Sequence, residues 1–239
     1  MIEKKIHYCW FGGNPLPELV IKCIASWKEH CPDYEIIEWN ESNFDLKICP
    51  YVQEAFACKK WAFISDYVRL FVLYHFGGIY MDTDVEVLAS LDSFLENEGF
   101  LGFENETSVS TGIMGAEQGN TFIYSLLQDY SNRHFLLPNG QMDMTTNVKV
   151  MTQAVKTLGL IINNSKQTIS GFTVYPSDYF SPKDSRSLKV HLTENSVAIH
   201  HFNGAWGNQR GKKFKDFVKK VLGERLSLRI SRWRNRSKE

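Results

Sequence analysis

The chain has 239 residues, of which 43% are hydrophobic and 13% aromatic, and its 27 basic and 27 acidic residues give a formal net charge of zero. This composition can fill the core of one globular domain. No apolar run approaches the roughly 20 residues that span a bilayer, and the polar N-terminus does not resemble a secretory signal, so we expect a cytoplasmic protein.

The cysteines and the distribution of charge limit further which kinds of site and which domain organisation the sequence can have. The five cysteines are odd in number and form no C-x-x-C pair, which indicates neither a disulfide framework nor a zinc knuckle. Residues 210–239 carry 12 Lys and Arg against 3 Asp and Glu, a net charge of +9, which leaves −9 for the rest. We therefore predict a domain over residues 1–209 and a basic amphipathic tail over residues 210–239.

The first predicted elements are a strand, a helix and a second strand. The segment "KKIHYCWFGG" has the pattern of a short buried strand that ends in a glycine turn. In "LPELVIKCIASWKEHCP" the apolar residues recur near helical spacing, and "YEIIEW" is the second strand. This order is typical of a parallel α/β unit, in which ligands bind at the carboxyl ends of the strands.

The middle of the chain contains the strongest predicted helix, "KKWAFISDYVRLFVLYHFGG", which the glycine pair ends. Strands are predicted in "IYMDTDVEVL" and "GFLGFE", followed by a short apolar piece, "GIMGA". Helices near "TFIYSLLQDYSNR" and "NVKVMTQAVKTLG" precede strands in "FTVYP" and "SVAIHHF". The pattern predicts one α/β domain with a mixed sheet.

Two pairs of charged residues stand out within these elements. Asp82 and Asp84 follow an apolar strand at a spacing of two, so they share one side of the extended backbone. An isolated D-x-D is usually a polar strand end, but two adjacent anions at a sheet edge repel unless a cation lies between them. Asp66 and Arg69 share one face of the buried helix, where they pair with each other or with a ligand.

The segment "AIHHFNGAWG" adds His200 and His201 after a short apolar strand. A neutral imidazole binds divalent transition metals well, although a single histidine is more often a core or surface residue. The residue pattern leaves open which of the two is a ligand.

Three stretches, "IHYCWFGG", "SDYVRLFVLYHFGGIYMDTDV" and "IHHFNGAWG", together resemble glycosyltransferase family 32, whose members carry a sugar-binding region with a DxD motif. The chain is more distantly similar to the glucosyltransferase domain of the large clostridial toxins. The resemblance covers most of residues 4–208. It implies a GT-A-type nucleotide-sugar-binding fold with a mixed, mainly parallel central sheet flanked by helices. It also implies a retaining transferase that depends on Mn²⁺ or Mg²⁺ and uses a nucleotide-diphosphate sugar, expected to be a UDP-sugar, as donor.

The resemblance also implies roles for residues of the donor pocket. Trp10 matches the aromatic residue that stacks on the nucleotide base. Asp66 and Arg69 match the pair that holds the donor sugar and its phosphate, and they are the expected catalytic residues. Tyr80 matches a residue that lines the same pocket.

The metal site is implied in the same way. Asp82 matches the aspartate that reaches the ribose and the water shell of the metal, whereas Asp84 matches the direct metal ligand. We prefer His201 over His200 as the third ligand because "HFNG" resembles the metal-binding turn of related sugar transferases. Trp206 matches the tryptophan whose indole N–H contacts the diphosphate.

The expected reaction is transfer of a hexose or N-acetylhexosamine to a glycan or lipid-linked glycan acceptor in bacterial capsule, exopolysaccharide or O-antigen synthesis. Two alternatives are a nucleotide-sugar hydrolase and a non-catalytic nucleotide-sugar-binding protein at the membrane surface. In residues 210–239, apolar residues recur at helical spacing among lysines, which favours a helix on an anionic membrane over one that packs on the domain. Nucleic acid is not expected as a partner, because the acidic remainder would repel phosphate.

Overall fold

A mixed β-sheet flanked by helices organises the protein, as seen in a computed structural model that describes residues 1–203. The strands of this part of the chain are β1 (Lys5–Cys9), β2 (Glu35–Trp39), β3 (Gly78–Met81), β4 (Val85–Val87), β5 (Gly99–Asn105), β6 (Ser108–Ala116), β7 (Gln167–Ile169), β8 (Phe172–Tyr175) and β9 (Ala198–His200). The α-helices are α1 (Glu18–His30), α2 (Pro50–Ala57), α3 (Trp61–Phe76), α4 (Thr121–Gln128), α5 (Asn147–Thr157) and α6 (Ser177–Phe180).

Seven strands form the central sheet in the order β2-β1-β3-β6-β5-β8-β7, and β4 and β9 form a separate ribbon. Strand β1 pairs in parallel with β2 and β3, and β5 pairs in parallel with β8. The pairs β3–β6, β5–β6 and β7–β8 are antiparallel. Five strands therefore run in one direction and β6 and β7 run in the other, which confirms the predicted α/β class with a mixed, mainly parallel sheet.

The sequence from α3 to β3 sets the position of the site. Helix α3 is apolar on most of its surface, as expected for a buried helix, and it ends at Gly77, whose φ is 62°. Gly78 has a φ of 96°, and a Cβ there would lie 2.9 Å from the carbonyl oxygen of Lys5 on β1. This close approach lets the chain turn directly into β3, all four residues of which are buried. The residues after β3 are thereby held at the carboxyl end of the sheet.

Several elements differ from the sequence-based expectation: the predicted strand "IYMDTDVEVL" is divided by a turn into β3 and β4, and β7 and α6 were not predicted. The apolar piece "GIMGA" is the end of the nine-residue strand β6, which lies between β3 and β5 and is antiparallel to both. Helix α2 was not expected, and it begins with Pro50 at the first helical position, where the missing N–H has no intrahelical partner to lose. Its Tyr51 is fully buried against the rings of Tyr130 and Phe135.

Residues Met1–Phe202 form one compact unit. Among the described residues, none of the helices combines the length and the apolarity that a membrane crossing requires. The predicted boundary at residue 209 and the predicted basic tail over residues 210–239 lie outside the described residues and stay predictions.

Candidate active site

The two aspartates of the DxD stretch lie in the turn that joins β3 to β4. The backbone N–H of Asp82 donates to the carbonyl oxygen of Gly112 on β6 (2.7 Å), and the carbonyl oxygen of Asp82 accepts from the N–H of Val85 (3.0 Å). Asp84 is buried within this turn. Because the first bond ties the turn to the central sheet and the second closes the turn, the backbone that carries the two carboxylates is fixed.

His200 reaches this turn through the ribbon of β4 and β9, in which it pairs with Val85. Its Nε2 atom lies 3.3 Å from Oδ1 of Asp84 and 4.0 Å from Oδ2 of Asp82. One ligand atom from each of these three residues lies within 4.8 Å of the other two. This is the spacing at which a single cation could contact all three side chains.

His201 does not join this group, so the preference for His201 as the metal ligand is corrected to His200. Successive side chains along a strand point to opposite faces, and His201 directly follows the last residue of β9. Its ring Nε2 lies 2.7 Å from Oε2 of Glu86, and its backbone N–H donates to the carbonyl oxygen of Asp84 at 2.9 Å. His201 therefore fastens the ribbon together beside the site.

Gly112 provides the space in which the His200 ring lies. A Cβ on Gly112 would be 2.8 Å from both Nδ1 and Cε1 of that ring, and 3.4 Å from Oδ2 of Asp82. Real Cβ atoms essentially never approach other atoms to 2.8 Å. Within the described part of the chain, Nδ1 of His200 is buried and has no hydrogen-bond partner. The ring therefore contacts Asp84 through Nε2, and its other edge packs against Gly112 of β6, where a larger residue would not fit.

Arg69 joins the helix pair to the aspartates of the turn. Its Nη2 donates to Oδ1 of Asp66 at 3.0 Å, its Nη1 lies 3.3 Å from Oδ1 of Asp82, and its side chain is only 5% exposed. The guanidinium also donates to the carbonyl oxygens of Ser65 and Thr111. This buried cation is therefore shared between two carboxylates and fixes their separation.

The charges of the site favour bound cations. Burial raises the pKa of Asp66 to about 6, against the opposing charge of Arg69, and the nearby charge of Asp82 raises it further. Burial acts to lower the pKa of His200, but its hydrogen bond to Asp84 and the surrounding carboxylates outweigh that effect, so the pKa is raised. The raised pKa of Asp66 thus reflects mainly its burial, whereas the raised pKa of His200 reports surrounding negative charge, which a divalent cation would compensate.

The remaining residues predicted from the sequence have different positions. Tyr80 is 1% exposed, so it does not line a pocket: its hydroxyl donates to Oδ1 of Asp82 at 3.1 Å, and its ring lies beneath the guanidinium of Arg69. Trp10 is also buried and its indole N–H donates to the carbonyl oxygen of Asn14, so its stacking on a base stays a prediction. Trp206 lies outside the described residues.

Three further residues lie at the site, and the first two of them were not expected from the sequence. One is Gly112, which lies in the segment that looked like a short apolar piece. Another is Asn147, the first residue of α5: its backbone N–H bonds to Asp66, and its side-chain Nδ2 is buried without a hydrogen-bond partner in the described residues. The third is Glu104 near the end of β5, where burial raises the pKa of its carboxyl and the charges of His200 and Asp82 act on it. In the sequence, Glu104 could be recognised as a site candidate only from its position at the end of the predicted strand "GFLGFE".

The donor set fits a divalent metal ion. Asp82, Asp84 and His200 would hold it, because two carboxylate oxygens and one imidazole nitrogen converge there. Oxygen ligands suit Mg²⁺ and Mn²⁺, and an imidazole ligand shifts the preference towards transition metals. Three protein ligands leave further coordination positions for the oxygens of a substrate.

Comparison with known proteins agrees with this geometry. Residues 17–101 match the family described as "Glycosyltransferase sugar-binding region containing DXD motif". Residues 17–101 of the chain are thus similar to the sugar-binding region of this glycosyltransferase family. The matched region contains the Asp66–Arg69 pair and both aspartates of the DxD stretch. The resemblance found in the sequence and the predicted enzyme class are thereby confirmed.

Two of the curated relatives are yeast proteins. The domain is 27% identical over 146 residues to inositol phosphoceramide mannosyltransferase 3 of Schizosaccharomyces pombe, which covers 56% of this chain and 40% of that protein. It is 30% identical over 139 residues to mannosyl phosphorylinositol ceramide synthase CSH1 of Saccharomyces cerevisiae, which covers 56% of this chain and 36% of that protein. The chain thus spans well under half the length of these curated relatives.

A solved structure supports the fold. The structure named "PaToxG Glycosyltransferase" matches with a TM-score of 0.50 and 22% identity, covering 65% of this chain and 69% of that one. Together with the sheet order, this confirms the predicted GT-A-type fold of the glycosyltransferase domain.

Proposed function

We propose that this protein transfers a sugar from a nucleotide-diphosphate sugar to a hydroxyl of a glycan or glycolipid, with Mn²⁺ or Mg²⁺ held by Asp82, Asp84 and His200. The observation that carries the proposal is the convergence of these three side chains beside the buried Asp66–Arg69 pair. A carboxylate-rich site next to a fixed cation suits a substrate that combines a diphosphate with a sugar.

The reaction requires a diphosphate to leave with its negative charge. A bound divalent cation supplies the positive charge that stabilises this leaving group. Arg69 holds Asp82 in place through Oδ1, so that Oδ2 is directed towards His200. Asp84 lies closer to His200 than Asp82 does, which supports a direct ligand role for Asp84 and a shared role for Asp82 with the ribose.

Asp66 is the residue proposed to hold the donor sugar. One of its oxygens accepts from Arg69, and with a pKa of about 6 the carboxylate is largely ionised at neutral pH. An ionised carboxylate accepts hydrogen bonds from sugar hydroxyl groups. Because Asp66 is engaged in this way, we propose that the acceptor hydroxyl attacks on the face from which the diphosphate leaves, with retention of configuration.

In this scheme the leaving phosphate takes the proton of the acceptor hydroxyl, and no sugar becomes attached to the protein. The alternative is a covalent intermediate on Asp66 or on Glu104, the other carboxyl group whose charge interacts with the site. Incubation with the donor alone, followed by peptide mass spectrometry, distinguishes the two. A glycosyl ester on either residue would contradict the proposed route.

The names of the fungal relatives favour mannose as the sugar and an inositol-phosphate lipid as the acceptor. A bacterial capsule, exopolysaccharide or O-antigen acceptor gains no support from these names. We therefore propose the broader acceptor class, a glycan or glycolipid hydroxyl, with mannosyl transfer to a glycolipid as its most specific form.

A screen of UDP- and GDP-sugars by thermal unfolding, with and without Mn²⁺, tests the proposal. A ligand present at about 100 times its Kd stabilises the fold by about 2.7 kcal/mol, which is a shift of several degrees. We expect at least one nucleotide sugar to give this shift only when Mn²⁺ is present. The same sugar should then label a lipid or glycan acceptor. Release of free sugar alone would support the hydrolase, and no shift with any donor would reject the proposal.

A further inference from the structure

An exposed loop between α6 and β9 combines cationic and aliphatic side chains. This basic-apolar loop comprises residues 183–192, "KDSRSLKVHL". Three large aliphatic residues lie close together in this loop sequence and are exposed: Leu188, Val190 and Leu192 are 43%, 43% and 58% exposed. Leu188 directly follows the turn at residues 185–187, and Val190 and Leu192 follow it at a spacing of two along the chain. Lys189 and Arg186 are also exposed.

The backbone of the loop holds this arrangement in a defined shape. The N–H of Asp184 donates to the carbonyl oxygen of Lys189 at 2.9 Å, and the N–H of Leu188 donates to the carbonyl oxygen of Asp184 at 2.8 Å. Leu188 has a φ of 61°, a conformation that aliphatic residues rarely adopt. The loop is closed below by a bridge between Lys183 and Val190.

The charge of the loop is opposite to that of the domain. Its one acidic residue, Asp184, accepts hydrogen bonds from the backbone N–H groups of Ser187 and Arg186, and these bonds lower the pKa of its carboxyl. Lys183, Arg186 and Lys189 therefore leave a net positive loop, whereas residues 1–209 carry a net charge of −9. An anionic surface would attract this loop and repel the rest of the domain. The domain would therefore orient with the loop facing the surface.

The loop also borders the candidate active site. Nζ of Lys183 lies 3.4 Å from Nδ1 of His201, the neighbour of the candidate metal ligand His200. The first residue of the loop therefore lies beside the ribbon that carries the candidate metal ligand His200.

We propose that the basic-apolar loop docks this protein on an anionic lipid surface, with its aliphatic side chains inserted among the headgroups and its cations on the lipid phosphates. Binding of this kind combines buried apolar area with attraction of basic side chains to anionic lipids. The inference extends the proposed function, because it presents the site to a lipid-linked acceptor.

Sedimentation of the full chain with vesicles tests the proposal. The vesicles are phosphatidylcholine alone or phosphatidylcholine with about 30% phosphatidylserine, an anionic lipid of cytoplasmic leaflets. Each basic residue near such a surface contributes about a fivefold factor in affinity. We therefore expect Arg186→Gln with Lys189→Gln to weaken binding to the anionic vesicles roughly 30-fold. Val190→Ser with Leu192→Ser should weaken it by on the order of tenfold.

Matched controls show whether any exposed aliphatic or basic residue has the same effect on vesicle binding as those of the loop. Leu158 and Ile161 are also exposed aliphatic residues, and Lys28 and Lys156 are exposed lysines. Their serine and glutamine variants, made in the same pairs, should bind the vesicles like the wild type. Because every variant keeps residues 204–239, any contribution of that segment is common to all arms. Equal binding by the loop variants and the wild type would overturn the proposal.

A second measurement identifies any other occupant of the loop. A polarity-sensitive fluorophore on Val190→Cys, in a Cys58→Ser background because the other four cysteines are buried, should shift to the blue only when anionic vesicles are added. A blue-shifted signal without vesicles would mean that a second copy or another segment of the chain covers the loop, and would overturn the proposal. Neither measurement requires turnover. A protein that binds vesicles yet transfers no sugar would reject the proposed function and leave the docking inference intact.

Discussion

The two halves of the candidate site are built in different ways. Asp66 and Arg69 come from one turn of α3, three residues apart, and each compensates part of the charge of the other within the protein. Asp82, Asp84 and His200 come from a turn and a distant strand, and one ligand atom of each lies within 4.8 Å of the other two. The difference teaches that the charges of the first half are largely compensated within the protein, whereas the second half keeps negative charge that a bound cation would balance, although Asp82 also pairs with Arg69.

The largest expected effect is on the half whose charges are largely compensated within the protein. Arg69→Met removes the buried cation that Asp66 and Asp82 share, and it leaves one mostly buried and one half-buried carboxylate without this partner. We expect a loss of about 3–5 kcal/mol in the free energy of unfolding, measured by urea denaturation.

Arg133→Met is the matched control for this variant. Arg133 also pairs with a carboxylate, Asp143, and also lies over a tyrosine ring, but it is more exposed and has one carboxylate partner. Its loss should be clearly smaller. Equal losses for the two variants would mean that sharing Arg69 between two carboxylates adds nothing.

The second effect concerns catalysis by the half whose negative charge a bound cation would balance. Asp84→Asn keeps the size of the side chain but removes a negative charge next to His200. We expect kcat to fall by about 10²–10³-fold, the effect of losing several kcal/mol of leaving-group stabilisation, with the fold retained by circular dichroism. Asp92→Asn, at an exposed ion pair with Lys4, is the control that should keep full activity. A fully active Asp84→Asn enzyme would contradict the metal-ligand role.

The third effect tests whether metal binding depends on how the ring of His200 packs against Gly112, which is distant from it in sequence. Gly112→Ala places a methyl group 2.8 Å from the ring of His200, so we expect Mn²⁺ affinity to fall about 10- to 100-fold. Gly115→Ala, on the same strand, clashes with the ring of Phe100 instead. That control should lose about 1–3 kcal/mol of stability from overpacking but keep its Mn²⁺ affinity. Calorimetric titration of both variants with Mn²⁺ measures the contrast, and an equal loss of affinity would contradict the role of Gly112.

The last prediction concerns the free energy of unfolding at acidic pH, part of which we expect to depend on His7, a residue outside both halves of the site. His7 is fully buried, with Nδ1 accepting from the indole N–H of Trp39 and Nε2 facing the carbonyl oxygen of Gly77. Burial lowers its pKa to about 4, whereas the unfolded value is 6.5. The unfolded chain therefore takes up a proton first, and the stability that is present above pH 6.5 is lost as the pH falls towards 4.

We expect the wild type to lose up to about 1.4 kcal/mol per pH unit from this group between pH 6.5 and pH 4. His7→Gln keeps a donor and an acceptor but does not titrate, so its free energy of unfolding should depend less on pH in this range. Denaturant titrations at several pH values measure the slopes. Parallel slopes for the two proteins would assign the acid sensitivity to the carboxylates of the site instead.

The same contrast explains how much of the molecule was predictable. The Asp66–Arg69 pair follows from helical spacing alone, and the position of Asp82 and Asp84 follows from an apolar strand that ends before them. These inferences need only local sequence. The α/β class also follows from local patterns, since the order of helices and strands limits the topologies.

Features that depend on long-range pairing could not be read from the sequence. The choice between His200 and His201 depends on the register of β9 against β4, and a shift of one residue exchanges the two faces of a strand. The role of Gly112 depends on a ring that comes from a distant part of the chain. The burial of Tyr80 beneath Arg69 likewise depends on how α3 lies on the sheet.

Mn²⁺ binding to the wild type, His200→Ala and His201→Ala tests the central claim most directly. Calorimetric titration in the presence of UDP and of GDP gives the affinity for each protein. Because Asp82, Asp84 and His200 are proposed to hold the metal, we expect one Mn²⁺ per chain in the wild type, at least a tenfold loss of affinity for His200→Ala, and a smaller loss for His201→Ala. Wild-type affinity in His200→Ala, or the greater loss in His201→Ala, would contradict the account.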